Sequence, residues 1–237
     1  MISEKFYVGY SDIDKNFKLS NVALLKAFQN IVTMHATKAN DSLKSTNYGW
    51  FLTSYKVKVL KRPEYESWYN LSTWSRSVKG VTASREFESK DEKGNLQICA
   101  LSNWVRINKT TQKIERVTPE IIEAYGQEEK TNFESPWTQK LQECGKVDYE
   151  KNITIERNFI DFHHHVNNVS YLEIAYIALP DDVYNSFECN EFEIMYKQAI
   201  KCHDEVCLQY TEEEKYYNIT IKSKDKTTLH AIIRLYK

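Results

Sequence analysis

The chain has 237 residues, 41% hydrophobic and 27% charged, with 32 Lys and Arg against 33 Asp and Glu. That length holds one large or two small domains with a real core, and a net charge of -1 lacks the basic excess that phosphate binding needs. Mean hydropathy is -0.60 and no apolar run approaches the roughly 18 residues of a membrane-crossing helix, so no membrane span and no nucleic-acid partner are expected.

Phe6, Val8 and Tyr10 alternate as in a short strand. The surrounding MISEKFYVGYSDID has no basic-then-apolar signal layout, so a cytoplasmic protein is expected. From Ser20, the positions Leu24, Leu25, Phe28, Ile31, Val32 and His35 recur at helical spacing, with Ser20 or Asn21 placed to cap the start. A strand meander follows through Tyr55–Val59, Trp68–Trp74, Val81–Phe87 and Leu96–Ile107. It is punctuated by turn signals at Lys79-Gly80 and Asp91-Glu92-Lys93-Gly94. A short helix is predicted over Pro119–Tyr125, and the polar stretch 131–150 reads as a linker between an N-terminal domain (1–130) and a C-terminal one (151–237). Beyond it, a strand at Ile153 and Ile155 enters a turn at Asp161–Asn168. A helix then runs from Val169 to about Leu179 with Pro180 beyond it, and four strand-like runs, starting at Phe192, Glu205, Tyr216 and Leu229, close the chain.

This order repeats. Tyr10–Asn21 (YSDIDKNFKLSN) aligns with Arg157–Asn168 (RNFIDFHHHVNN), pairing Ile13 with Ile160, Asp14 with Asp161, Leu19 with Val166 and Asn21 with Asn168. Each segment sits where a strand gives way to a helix ahead of a meander. The reading is an internal duplication of two similar α+β halves.

Chemistry concentrates at the second of these junctions, which holds Asp161, His163, His164, His165, Asn167 and Asn168. A helix N-terminus offers unpaired N–H groups to a developing oxyanion, and an imidazole beside a carboxylate can polarise a carbonyl, position water and shuttle protons. The plainer alternative is a capped helix flanked by exposed loop histidines. A metal reading would need His163 and His165 to converge with Asp161 or His203, but the spacing matches no established ligand set, so no metal and no cofactor are expected. The six glycines are too scattered for a P-loop, a dinucleotide fingerprint or a nucleophile elbow. Five cysteines without a CxxC pair read as buried reduced thiols. Trp74, Trp104 and Phe87 are candidates for an apolar channel, with plain core the more ordinary role.

The segment Asp161-Phe-His-His-His165-Val-Asn-Asn168, followed by Val-Ser-Tyr171-Leu-Glu173, resembles the D-x-N-x-H-V-N-N-x-x-Y-[IL]-x motif of acyl-ACP thioesterases. The segments Lys61-Arg62-Pro63, Ser72-Thr-Trp-Ser-Arg76, Arg85-Glu-Phe87, Asp91-Glu-Lys-Gly94, Ser102-Asn-Trp-Val-Arg-Ile107 and Lys109–Arg116 follow that family's order across nearly the whole chain. The resemblance implies a tandem (double) hot-dog fold, α+β, with two antiparallel sheets each wrapped around a central helix. It also implies a catalytic second half, a first half that shapes an acyl channel, and release of free fatty acid from acyl carrier protein. Acyl carrier protein with its acyl chain is therefore the expected partner, with a homodimer as one assembly option. Acyl-CoA hydrolysis and acyl binding without turnover are the alternatives.

Carried over residue by residue, Asp161 and His165 match the family's catalytic positions. His163 stands where the family has Asn, and Ala199 in Tyr196-Lys-Gln-Ala199 stands where it has Glu. Asp161, His163 and His165 are thus the candidate catalytic set, with His163 expected to take over water activation from the missing carboxylate. The first-half copy has Lys18 where His would fall, and a second active site is not expected there.

Overall fold

The computed structural model describes residues 1–42 and 44–237. The chain divides into a unit of Met1–Thr138 and a unit of Gln139–Lys237. The stretch 131–150 is shared between them, its first eight residues lying in the first unit. Each unit is α+β, with antiparallel strands and a helix packed on them.

In the first unit, β1 (Ile2–Tyr7) leads through a single 3-10 turn into α1 (Asn21–Lys38). The Ser20 hydroxyl accepts the Ala23 N–H at 3.1 Å, as an N-cap should. The predicted apolar face is the one that buries: Leu24, Leu25, Phe28, Ile31 and His35 are all buried. The strands β2 (Tyr48–Val59), β3 (Trp68–Lys79), β4 (Thr82–Lys90) and β5 (Leu96–Asn108) follow. They pair antiparallel in the order β1-β3-β4-β5-β2, and the short β6 (Ile114–Glu115) pairs with β5. Gly80 (φ 65°) turns β3 into β4, and Gly94 (φ 84°) turns β4 into β5, where the Asp91 carboxylate accepts the N–H groups of Lys93 and Asn95. Phe28 of α1 stacks on Phe87 of β4 (4.4 Å between centroids) and packs against Tyr55 of β2. Phe28 thereby carries helix-to-sheet adhesion, and truncating such a side chain to Ala costs about 3–5 kcal/mol.

The helix α2 (Pro119–Tyr125) appears where the sequence predicts it, and Gly126 (φ 63°) ends it. The segment behind it is tied to the strands. Trp74, fully buried, donates its indole N–H to the Lys130 carbonyl at 2.9 Å, and the buried Glu86 carboxylate accepts the Thr131 hydroxyl and the Asn132 N–H, each at 2.7 Å. Trp74 is thus a packing anchor of the first unit, and Phe87 is core.

In the second unit, β7 (Tyr149–Thr154) leads through a 3-10 turn to α3 (Ser170–Ile177), shorter at both ends than the predicted 169–179. Pro180 does not simply end that helix: it starts another, α4 (Asp181–Ser186), unforeseen in the sequence. The strands β8 (Glu191–Tyr196), β9 (Glu205–Glu212), β10 (Tyr216–Ser223) and β11 (Leu229–Tyr236) complete the unit. Their antiparallel order is β8-β11-β10-β9-β7. Leu141, Met195 and Ile232 form a buried apolar cluster there.

Candidate active site

The turn between β7 and α3 is built by main-chain hydrogen bonds that fold Phe159–Asn167 back on itself. The Asp161 N–H donates to the His165 carbonyl (2.9 Å) and the Asn167 N–H to the Phe159 carbonyl (2.8 Å), bracketing an Ile160–Val166 bridge. At the apex His164 takes a left-handed conformation, φ 62°. The Asp161 side chain accepts the His163 N–H at 2.8 Å. The Val166 N–H donates to the Ile200 carbonyl (2.9 Å), which fixes the turn to the segment carrying Ala199. The Asn167 side chain accepts the Val169 N–H at 2.9 Å, a local turn just ahead of α3.

This one turn therefore brings Asp161, His163 and His165 together. Asp161 and His165 are half-buried, whereas His163 and His164 are exposed. The His163 ring lies against the exposed Phe162 ring, 4.0 Å between centroids. Asp161 spends one carboxylate oxygen on the turn itself.

The first-unit junction is the same turn. The Asp14 N–H donates to the Lys18 carbonyl (2.8 Å) and the Ser20 N–H to the Asp12 carbonyl (2.8 Å), the Asp14 carboxylate accepts the Asn16 N–H (2.8 Å), and Phe17 sits at φ 58°. The shared aspartate is thus explained by turn geometry in both units. What sets the second junction apart is Asn16-Phe17-Lys18 replaced by His163-His164-His165 on one backbone.

The duplication extends past the region where sequence alone displays it. The Val8 N–H donates to the Ser67 carbonyl and the Glu66 N–H to the Val8 carbonyl, and Ile155, Asp204 and His203 repeat both bonds. Glu66 and His203 share a left-handed conformation, φ 60° and 69°. The Leu19 N–H to Pro63 carbonyl bond likewise matches Val166 to Ile200. Along this returning limb Arg62 is the counterpart of Ala199.

A second polar cluster, which the sequence reading missed, lies buried in the first unit. Asp41 takes an ion pair from Arg106 (3.1 Å), the indole N–H of Trp50 (2.8 Å) and the hydroxyl of Tyr125 (3.2 Å). Nearby, Arg85 donates to His35 Nδ1 (2.9 Å) and to the Thr73 hydroxyl (3.2 Å). A guanidinium only donates, so His35 Nδ1 is the unprotonated acceptor. Burial, and then the adjacent Arg85 charge, push the His35 pKa down to about 3; burial holds Arg85 down at about 10. These residues lie far apart in the chain, and only the helical placement of His35 hinted at its burial. Among the described residues no group of three His, Cys, Asp or Glu side chains is placed to hold a metal ion, and Cys202 lies half-buried in the loop before β9.

Residues 1–125 match the family described as the acyl-ACP thioesterase N-terminal domain, and residues 142–235 the acyl-ACP thioesterase C-terminal domain. The chain is 20% identical over 222 residues to the chloroplastic oleoyl-acyl carrier protein thioesterase 1 of Arabidopsis thaliana, covering 86% of this chain and 61% of that protein. It is 25% identical over 170 residues to the chloroplastic palmitoyl-acyl carrier protein thioesterase of Gossypium hirsutum, covering 68% and 40%. The chain thus spans less than two thirds of the length of these relatives. The fold is that of an acyl-ACP thioesterase crystal structure from Bacteroides thetaiotaomicron, with a TM-score of 0.86 at 22% identity over 99% of this chain and 96% of that one. The 12:0-ACP thioesterase from Umbellularia californica superposes with a TM-score of 0.84 at 17% identity over the same shares.

Proposed function

We propose a function from one premise, that the chain belongs to the acyl-ACP thioesterase family. On that premise it hydrolyses the thioester joining a fatty acyl group to acyl carrier protein. Water adds through its oxygen to the thioester carbonyl, the C–S bond breaks, and the departing sulfur takes up a proton. Free fatty acid and the carrier thiol are the products.

His165 is the proton-handling or water-orienting group, half-buried on a turn that fixes its backbone. Asp161 holds that turn and adds negative charge beside the imidazoles. His163, exposed two residues away, activates water in place of the carboxylate that Ala199 lacks. The observation that carries this reading is the replacement of Asn16-Phe17-Lys18 by three histidines on a duplicated turn. A fold-level need cannot explain it, because the first unit makes the same turn without them. Among the described residues none of the five cysteines is in a disulfide, which fits a reducing compartment, in line with work in the cytoplasm.

One observation favours a second reading, acyl binding without turnover: Ala199 offers no carboxylate to the junction. Incubating the purified chain with acyl-ACP and with acyl-CoA, and measuring fatty acid release, separates the readings. Faster release from acyl-ACP supports the proposal. Release from acyl-CoA alone reassigns the carrier, and tight binding with no release favours the second reading.

A further inference from the structure

The first unit locks its junction with a side chain that the second unit has lost. Arg62, buried, donates from Nη1 to the Leu19 carbonyl (2.9 Å) and from Nη2 to the Asn21 side-chain oxygen (3.0 Å). The counterparts of Leu19 and Asn21 are Val166 and Asn168, and the counterpart of Arg62 is Ala199, whose methyl group donates nothing. Among the described residues, no hydrogen bond reaches the Val166 carbonyl or the Asn168 carboxamide.

The second junction has not simply come loose. The Tyr196 hydroxyl donates to the Asn168 main-chain carbonyl at 2.9 Å, and its ring meets that of Tyr171 edge-on at 5.3 Å. The first-unit counterpart of Tyr196 is Val59, which has no such donor. The restraint has thus moved from the Asn side chain to the Asn main chain. The Val166 carbonyl and the Asn168 carboxamide stand at the positions whose first-unit counterparts one planar guanidinium bridges.

We propose that the Val166 carbonyl and the Asn168 side-chain oxygen form a subsite for a planar N–H donor on the ligand, namely the amide next to the thioester in the pantetheine arm of the carrier. This rests on the hydrolase reading above and names what that site grips. The chemistry fits: the single amide N–H goes to the Asn168 side-chain oxygen with the Val166 carbonyl as a second, weaker acceptor, and that nitrogen lies only four bonds from the thioester carbonyl carbon. Asn168 lies three residues from His165 on the same turn, so holding the arm there would set the carbonyl beside the histidines. Asn168 is then a positioning residue.

The test compares two thioesters of one acyl chain: the N-acetylcysteamine ester, which carries the amide, and the S-ethyl ester, which does not. Unreactive thioether analogues of both serve for binding. The amide-bearing ester should be favoured about tenfold in kcat/KM, mainly through KM, as one well-placed hydrogen bond allows. The thioethers should show a similar ratio in Kd. Ala199→Arg, which refills the subsite, should abolish the preference and raise Tm; Asn168→Ala should abolish it as well, and serves alone if the arginine variant does not fold. Equal handling of both esters by the parent, or a preference surviving in either folded variant, overturns the subsite and leaves the hydrolase reading standing. If neither ester nor acyl-ACP is hydrolysed, the hydrolase reading fails, and the thioether Kd ratio alone decides the subsite.

Discussion

Phe17 and His164 hold the same left-handed backbone conformation, φ 58° and 62°, at the apex of two turns closed by the same main-chain hydrogen bonds. A side chain with Cβ costs roughly 1–2 kcal/mol in that conformation. Phe17 is 63% exposed, so substitutions there lose little packing. Phe17→Gly should therefore leave urea-unfolding stability equal or raise it by up to about 1 kcal/mol, and Phe17→Val, β-branched, should lower it by about 1–2 kcal/mol. Equal stability of the glycine and valine variants would show that the turn is not strained.

The buried His35 makes stability fall on mild acidification. Its pKa is 6.5 in the unfolded chain and about 3 in the folded one, where burial and Arg85 hold it neutral. Above pH 6.5 both states are unprotonated and His35 has no pH effect. Below it the unfolded chain takes a proton that the folded chain refuses, so stability drops as pH falls from 6.5 toward 3. His35→Gln keeps an acceptor for Arg85 and removes the proton site. Between pH 7 and pH 5 the parent should lose about 1–2 kcal/mol more than this variant in urea unfolding. Parallel losses would remove His35 as the cause.

Glu86 fastens the segment after α2 to the first unit. Its carboxylate is buried, and burial raises its pKa against the opposing hydrogen bonds from Asn132 and Thr131 and the charge of Arg76. Glu86→Ala should cost about 1–3 kcal/mol through the donors left unpaired. It should also open residues 127–138 to limited proteolysis ahead of global unfolding. Cleavage no faster than in the parent would mean that Trp74 and its bond to Lys130 hold the segment alone.

His163 and Ala199 should behave as one functional pair. If His163 stands in for the absent carboxylate, His163→Asn slows hydrolysis severely, and adding Ala199→Glu restores it. Effects that add independently across the parent, both single variants and the double variant contradict this.

Much of this architecture was legible in local pattern. The α1 face followed from apolar residues at helical spacing, and the junction repeat from Ile13, Asp14 and Asn21 recurring at Ile160, Asp161 and Asn168. The Arg62–Ala199 correspondence was not legible. The second unit is shorter between its junction and its returning limb, so the register of the repeat changes and the two residues no longer align by a single offset. Nor could sequence show His35 meeting Arg85, since a helix and a distant strand make that contact through the core. Pro180 lies beyond α3 as read, but α4 was missed, because a proline that follows one helix can equally stand at the N-cap of the next.

On the proposed function, the second junction releases fatty acid from acyl carrier protein through His165. The most direct measurement is free fatty acid released from acyl-ACP by the parent and by His165→Ala, with folding checked by circular dichroism. The parent should release fatty acid, and a folded His165→Ala variant should lose about a hundredfold or more of that rate, as expected for removal of a general acid–base group. Undiminished release by that variant, or none by the parent, would contradict it.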